Sequence, residues 1–219
     1  MSQYKYFSQN NVTVDGVIHV GAHRGEEIYD YEKLGAKQII WVEPNPDVFK
    51  ELEISLSRAD SSVESHGFCV AASDTNCEEV DFHICYGPDA SFMSGNKGCS
   101  SLLKPQGKIQ EWYKKTIKVE TIRLDTLIEN NGFDYSNFQL LDMDTQGAEM
   151  MVLNGAPKVL EHVDFITTEA TWGTPEYIDN VMFDELKSYL ESYGFQHVET
   201  FQHSEDWGDV LFVKMENIK

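Results

Sequence analysis

The sequence of 219 residues lacks several patterns that would place it in a familiar class. It has no apolar run near the roughly 20 residues that a membrane-spanning helix needs. Its first residues, MSQYKYFSQNN, lack the basic and then apolar segments of a secretory signal. Its four cysteines include no C-x-x-C pair, which favours scattered thiols in a reducing compartment. We therefore expect a cytoplasmic protein without a membrane partner.

Basic residues are also scarce. The chain has 17 Lys and Arg against 37 Asp and Glu, which gives a formal charge of -20 and a pI near 4.5. Such a surface repels phosphate backbones, so we expect no nucleic-acid partner. Hydrophobic residues make up 41% of the chain and charged residues 25%, as is ordinary for a globular protein.

Short apolar runs rich in β-branched and aromatic residues alternate with helical segments. The strand-like runs are 17–20, 38–43, 68–72, 138–144 and 164–169. The helical segments have their own start and stop signals, which are Gly35 as a C-terminal cap, Asn45 with Pro46 at an N-terminus, Gly155 at a C-terminus, and Pro157 before a further helix. This alternation predicts parallel strands joined by right-handed crossovers.

The C-terminal third changes this rhythm. A helical stripe from Phe183 to Tyr193 stops at Gly194, and the strand-like runs 195–202 and 209–214 follow it. The connection between these runs is too short for a crossover helix, so the last two strands should be antiparallel. Two more strand-like runs, VDFHIC and IKVETIRL, flank the polar loop GNKGCSSLLKPQG.

These elements predict an α/β fold with a doubly wound, Rossmann-like, seven-stranded sheet. The sheet should be mostly parallel with an antiparallel last strand, and a small β insertion should lie at about 80–124. We expect residues 1–219 to form a single domain.

The strongest local motif is VIHVGAHRGEE, in which a strand ends at Val20 and a helix follows a tight turn with Gly21 and Gly25. Glycines there let a ligand approach the backbone closely. Glu43 ends the next strand, where a carboxylate can accept hydrogen bonds from both hydroxyls of a ribose. The alternative is a structural turn with a surface glutamate. His23 occupies the position where a dinucleotide fingerprint needs glycine, which favours S-adenosylmethionine, an adenosine cofactor without phosphates.

Six segments, taken in order, resemble the FkbM-type methyltransferases, which use S-adenosylmethionine. They are VIHVGAHRGEE, IIWVEPNPDVFKEL, FCVAASD, TIRLDTL, LLDMDTQGAEMMVLNGA and FITTE. The resemblance covers roughly residues 15–214 and implies an O-methyltransferase acting on sugars, glycans or natural products. It implies a methionine end of the cofactor lined by Gly21, Ala22, His23 and Gly25. It places the adenosine along Glu43, Pro44 and Asn45, and the adenine edge at Ala72, Ser73 and Asp74. Asp144 would face the sulfonium or the substrate.

Asp144 is our first candidate for the base that takes the hydroxyl proton, and Glu169 is the second. Asp142 lies two residues before Asp144, so a strand would place both on one face, where like charges raise one pKa unless a donor intervenes. These acids also suit magnesium, but no ligand spacing is diagnostic and we predict no metal.

Ser100, Ser101 and Trp172 are candidate substrate contacts. The two serines lie in the polar loop, where turn formation is the alternative role, and Trp172 could stack on a sugar ring or only cover the sheet edge. We expect transfer of a methyl group to a hydroxyl of a small molecule or glycan. The alternatives are a nicotinamide-dependent oxidoreductase and a non-catalytic cofactor-binding or glycan-binding module. The oligomeric state stays open, with a homo-oligomer as one option.

Overall fold

A computed structural model describes residues 4–59, 62–87 and 97–218. The strands in chain order are β1 (Gly16–Val20), β2 (Gln38–Val42), β3 (Glu64–Phe68), β4 (Ala71–Ala72), β5 (Glu79–Cys85), β6 (Tyr113–Ile122), β7 (Leu140–Met143), β8 (Phe165–Thr171), β9 (Phe195–Gln202) and β10 (Trp207–Lys214). The α-helices are α1 (Lys5–Gln9), α2 (Ile28–Leu34), α3 (Pro46–Leu56), α4 (Leu124–Asn130), α5 (Glu149–Asn154), α6 (Pro157–His162) and α7 (Phe183–Ser192).

The main sheet has seven strands in the order β3-β2-β1-β7-β8-β10-β9. The pairs β1–β2, β1–β7, β7–β8 and β2–β3 are parallel, whereas β10 runs antiparallel to both β8 and β9. The prediction of a mostly parallel sheet closed by an antiparallel strand is therefore confirmed. This topology collects the carboxyl ends of β1, β2, β7 and β8 at one edge of the sheet.

Helices cover both faces of this sheet, because side chains alternate along its central strands. Ile18 and Val20 of β1 pack on one face, in a core to which α4, α5, α6 and α7 contribute. Val17, on the other face, belongs to a second core built with α1, α2 and α3. Trp41 of β2 and Tyr31 of α2 are the largest fully buried side chains of that second core.

The helix boundary signals acted as expected. Gly35 follows α2 in the left-handed conformation, with φ of 96°. The side chain of Asn45 caps α3 by accepting a hydrogen bond from the amide of Asp47, and Pro46 takes the first helical position. These caps fix the entry into α3 directly after Glu43.

The prediction of a third strand at 68–72 was wrong. The main sheet instead uses Glu64–Phe68 as β3, and Ala71–Ala72 form β4 of a second sheet. β3 is an edge strand with half-exposed side chains, so it lacks the apolar run by which the buried strands were found.

The β insertion is a three-stranded sheet in the order β4-β6-β5. β5 and β6 pair antiparallel, and Phe82, Ile84 and Val119 form its small core. Part of the predicted polar loop, residues 95 and 96, lies outside the described residues. None of the helices within the described ranges is long and apolar enough to cross a membrane.

Candidate functional site

The glycine turn after β1 has the backbone conformation that its sequence predicted. Gly21 and Gly25 have φ of 82° and 71°, a region that L side chains rarely adopt. A Cβ at Gly21 would overlap the carbonyl oxygen of Asp144, and a Cβ at Gly25 would press on Leu52. His23 also has a positive φ, 43°, so a non-glycine residue is held in this conformation inside the turn.

Glu43 is buried, with 6% of its surface exposed, at the carboxyl end of β2. Its Oε2 accepts a hydrogen bond from the amide of His23 at 3.0 Å, and its Oε1 accepts one from the amide of Asn45 at 2.7 Å. Burial raises its pKa to about 7, although these amide donors oppose the shift. The two amides orient the carboxylate and leave each oxygen a further lone pair for a ligand hydroxyl.

A cavity of about 480 Å³, open solvent included, lies beside this carboxylate, and we call it the Glu43 cavity. The predicted cofactor residues that line it are Gly21, His23, Glu43, Pro44, Ala72 and Asp144, and the predicted substrate residue Ser100 joins them. Sequence reasoning missed the apolar part of its wall, which Ala71, Phe82, Leu102 and Ala148 provide. Phe82 and Leu102 come from the β insertion, which therefore forms one side of the cavity.

The other predicted cofactor residues do not line this cavity. Ala22 is fully buried, and Gly25 packs against the side chain of Leu52. Asn45 acts through its amide on Glu43 and through its cap on α3. Ser73 is buried, and Asp74 is exposed and offers its backbone carbonyl to the guanidinium of Arg123. A contact of Ser73 or Asp74 with the adenine stays a prediction.

A second cavity, of about 1080 Å³ with open solvent included, meets the first at Gly21, His23, Gly98 and Asp144. We call it the acidic cavity because its lining includes the carboxylates Glu26, Glu27, Asp142, Asp144, Glu169 and Asp209. None of the described residues that line it is a lysine or an arginine. The rings of Trp207 and His203, whose centroids lie 5.0 Å apart, form an aromatic part of its wall.

The two predicted catalytic acids share one hydrogen-bond donor, which sequence reasoning missed. The Nε2 of Gln146 lies 2.6 Å from Oδ1 of Asp144 and 3.1 Å from Oε2 of Glu169. The hydroxyl of Tyr177 lies 3.1 Å from Oε1 of Gln146, so the amide is held at both ends. Gln146 has a φ of 55°, a costly conformation that often marks functional sites. The Gln146–Gly147 pair was the sequence signal that could have indicated this turn.

The first residue of α5, Glu149, holds the turn that carries Gln146. The Oε1 of Glu149 accepts hydrogen bonds from the amides of Thr145 and Gly147 at 3.2 and 3.1 Å. Ser101, predicted as a substrate contact, instead donates its hydroxyl to the carbonyl of Gln146 at 2.7 Å and lies outside both cavities. Its geometry is that of a buried structural support for the same turn.

The environment of the two acids favours their neutral forms. Burial raises the pKa of Asp144 to about 7, with Glu149 and Asp209 adding repulsion and Gln146 opposing it. Asp144 is nonetheless exposed toward the cavities, so this desolvation acts fully only once ligands displace the cavity water. Burial raises the pKa of Glu169 well above its usual range, and the charge of Asp144 adds to the effect.

Asp142, the extra acid of the sequence, has donors of its own. Its Oδ2 accepts hydrogen bonds from the hydroxyls of Tyr4 and Tyr31 at 2.6 and 2.5 Å. His19 lies on the same face, with its Nδ1 2.9 Å from the Tyr31 hydroxyl, as a buried histidine with a hydrogen-bonded ring. The carboxylates with the largest effect on the pKa of Asp144 are Glu149 and Asp209.

Trp172 does not line either cavity. Its indole nitrogen donates to the carbonyl of Glu205 at 3.0 Å, and its ring packs edge-on against Phe183 of α7. Of the two roles considered for it, these contacts favour covering the sheet edge, because the indole packs on protein and lines neither cavity. The aromatic side chain that faces the acidic cavity is Trp207, the first residue of β10.

The chain is similar to known methyltransferases in sequence and in fold. It is 28% identical over 158 residues to the 2-O-methyltransferase NoeI of Sinorhizobium fredii, a match that covers 70% of this chain and 62% of that protein. Its fold is similar to magnesium protoporphyrin IX methyltransferase (ChlM) from Synechocystis PCC 6803, solved with bound S-adenosylmethionine, at a TM-score of 0.52 and 6% identity, covering 95% and 74% of the two chains. A protein of the NADB-Rossmann superfamily from Streptococcus agalactiae matches at a TM-score of 0.52 and 11% identity, covering 98% and 68%.

The site residues suit S-adenosylmethionine. Gly21 lines both cavities with its backbone, and Glu43 has lone pairs for two ribose hydroxyls. The buried Nε2 of His23 has no hydrogen-bond partner within the described part of the chain, as expected beside a ligand site. The model of the methyltransferase FkbM domain matches residues 19–197, which is most of the chain. The chain therefore belongs to the FkbM methyltransferase family, with S-adenosylmethionine as its cofactor.

Proposed function

We propose that this protein transfers a methyl group from S-adenosylmethionine to a hydroxyl group of a sugar or glycan. The observation that carries the proposal is the position of Asp144, where the Glu43 cavity and the acidic cavity meet. A proton acceptor at that junction lies between the pocket for the methyl donor and the space for an acceptor.

S-adenosylmethionine, when bound, supplies an electrophilic methyl group on a sulfonium sulfur. Asp144 acts as the base, because its pKa near 7 lets it take a proton from a hydroxyl and release it to water at neutral pH. Gln146 holds Oδ1 of Asp144, and Oδ2 has no hydrogen-bond partner among the described residues. Oδ2 is therefore the atom that receives the proton.

Glu169 has a different role under the same proposal. Burial and the charge of Asp144 raise its pKa well above the usual range, which favours the protonated form that can donate a hydrogen bond. Two carboxyl groups that share one amide donor do not easily ionise together, and in our proposal the proton stays on Glu169 while Asp144 acts as the base. In our proposal Glu169 orients the acceptor.

The acidic cavity supports a neutral or cationic acceptor. The carboxylates of its lining that are ionised repel phosphate groups, which agrees with the expectation that no nucleic acid binds. Trp207 offers an apolar ring face on which a sugar can stack. The chain spans 62% of the length of NoeI, so the name 2-O-methyltransferase supports an oxygen acceptor and does not name the acceptor here.

The test is methyl transfer to a panel of neutral, amine-bearing and anionic oligosaccharides, followed by mass spectrometry. We expect a single methyl addition to a neutral or amine-bearing acceptor, with no loss of activity in the presence of a chelator. Cofactor binding without transfer to any member of a broad panel would favour the non-catalytic module instead. Micromolar binding of duplex or single-stranded nucleic acid at physiological salt would contradict the acceptor class.

A further inference from the structure

Two cysteines of the β insertion, Cys85 and Cys99, lie against each other beside the Glu43 cavity. His83 of β5 and Ser101 form an antiparallel bridge and exchange both backbone hydrogen bonds, at 2.8 and 3.1 Å. Cys85 ends β5 two residues after His83, and Cys99 ends the 3-10 turn Lys97–Cys99 two residues before Ser101, so the two cysteines lie on neighbouring segments. A disulfide between them needs Cα atoms roughly 4.4–6.8 Å apart.

The side chains of the two cysteines meet. The thiol of Cys99 donates a hydrogen bond to the sulfur of Cys85, and both residues are thiols in the structure. The amide of Cys85 also donates to Oγ of Ser100 at 3.1 Å, which holds the two segments together next to the sulfurs. The hydrogen bond from Cys99 lowers the pKa of Cys85 to about 7, although the burial of Cys85 opposes this shift.

The neighbours of Cys99 connect it to the catalytic acids. Its carbonyl accepts a hydrogen bond from the hydroxyl of Tyr113 and lies 3.2 Å from the hydroxyl of Tyr177. The same Tyr177 hydroxyl lies 3.1 Å from Oε1 of Gln146, and with a single proton it can donate to one of these acceptors at a time. The residues on either side of Cys99, Gly98 and Ser100, line the Glu43 cavity.

We propose that Cys85 and Cys99 are a redox-modification site that closes to a disulfide on reaction with a peroxide and thereby weakens cofactor binding. One hydrogen peroxide and one proton react with the Cys85 thiolate and the Cys99 thiol. The products are one disulfide and two water molecules. The two sulfurs are oxidised and the peroxide oxygens are reduced. Closing the sulfur–sulfur distance to about 2.05 Å draws Gly98 and Ser100 toward β5 and changes the cavity wall.

The first measurement is chemical. The complete reduced chain is treated with a small excess of hydrogen peroxide, remaining thiols are alkylated, and peptides are mapped by mass spectrometry. We expect a linked Cys85–Cys99 peptide and a chain two hydrogen atoms lighter, with the exposed Cys69 and Cys77 alkylated. A Cys69→Ser/Cys77→Ser variant is the matched control and should still form the bond, whereas Cys99→Ser should not.

The second measurement is calorimetric binding of S-adenosylhomocysteine to the reduced and oxidised chains. We expect oxidation to raise Kd at least threefold in the wild type and in the Cys69→Ser/Cys77→Ser variant, with full recovery after dithiothreitol. Cys99→Ser should bind with the same Kd before and after peroxide. Absence of the linked peptide, pairing of other cysteines, or an unchanged Kd in the linked protein would each overturn the proposal, independently of the acceptor.

Discussion

The side-chain amide of Gln146 lies 2.6 Å from Oδ1 of Asp144, and the same nitrogen lies 3.1 Å from Oε2 of Glu169. The amide stabilises the ionised form of Asp144 against the burial that raises its pKa to about 7. One neutral side chain therefore sets the pH at which the proposed base becomes active.

Methyl transfer by the wild type should rise with pH through about 7, because Asp144 must lose its proton before it can accept one. Gln146→Ala removes a donor to the carboxylate, and at about 1.5 kcal/mol for such a bond the midpoint should move up by about one pH unit. The profile of kcat against pH measures this shift. Gln202→Ala, at an exposed position, is the control and should keep the wild-type midpoint. An unchanged midpoint in Gln146→Ala would contradict the proposed effect of the Gln146 hydrogen bond on the pKa of Asp144.

Glu43→Ala should weaken binding of S-adenosylhomocysteine at least tenfold while the fold survives. The variant removes a carboxylate that can accept two charge-assisted hydrogen bonds, worth about 1.5–3 kcal/mol each before compensation. Calorimetry gives the affinity, and Glu53→Ala on the exposed face of α3 is the matched control. If Glu43→Ala binds as tightly as Glu53→Ala, the ribose is held elsewhere.

Asp144→Asn should fail in turnover rather than in binding. The change keeps the size of the side chain but removes its ability to take a proton, so kcat should fall about 100-fold or more. Binding of S-adenosylhomocysteine should stay within a few-fold of the wild type. A variant that loses the cofactor but turns over normally at saturating cofactor would make Asp144 a binding residue.

The stability of the cofactor-free protein should fall as the pH rises from about 5 to 8. The buried Glu43 has a folded-state pKa near 7, above the ordinary value of 4.5, so between these values the folded state holds more protons than the unfolded state. This contribution is full below about 4.5 and is lost through about 7, and it amounts to roughly 2–4 kcal/mol. Urea unfolding at several pH values measures it. Glu43→Ala should show a shallower decline, and equal slopes would contradict the assignment.

Trp207→Ala and Trp172→Ala should separate acceptor binding from stability. Trp207 faces the acidic cavity, so its loss should raise KM for a sugar acceptor about three- to tenfold without changing cofactor affinity. Trp172 packs on Phe183 outside both cavities, so its loss should lower Tm and leave KM unchanged. The reverse pattern would restore Trp172 as the stacking residue.

Much of the fold was predictable because it rests on buried strands and on helix caps. The strands with continuous apolar runs, such as β1 and β2, and the caps at Gly35 and Asn45 carry local signals that tertiary structure did not override. β3 escaped prediction because an edge strand needs no apolar run. The helix α1 escaped as well, since it spans only Lys5–Gln9 and its buried Phe7 packs on Phe165 of β8, which is far away in sequence.

The site residues that could be predicted are those that directly follow a predicted strand. Glu43 and Asp144 follow β2 and β7 directly, so their place at the sheet edge follows from the topology. Other contacts around the site come from distant segments: Tyr177 holds Gln146, and Tyr4 donates to Asp142. No local pattern encodes such contacts. Trp172 was the only tryptophan predicted from sequence as a substrate contact, whereas Trp207, which pairs with Thr171 across β8 and β10, lines the acidic cavity.

The contact between Gly21 and the carbonyl of Asp144 limits which variants can be interpreted. Any side chain at 21 would push against the backbone that positions the proposed base, at a residue that also lines both cavities. An alanine there would lower affinity and turnover together, and kinetics could not assign the loss to either step. Engineering of donor selectivity should therefore begin at Phe82 or Leu102, whose side chains reach the same cavity from the insertion and leave β7 untouched.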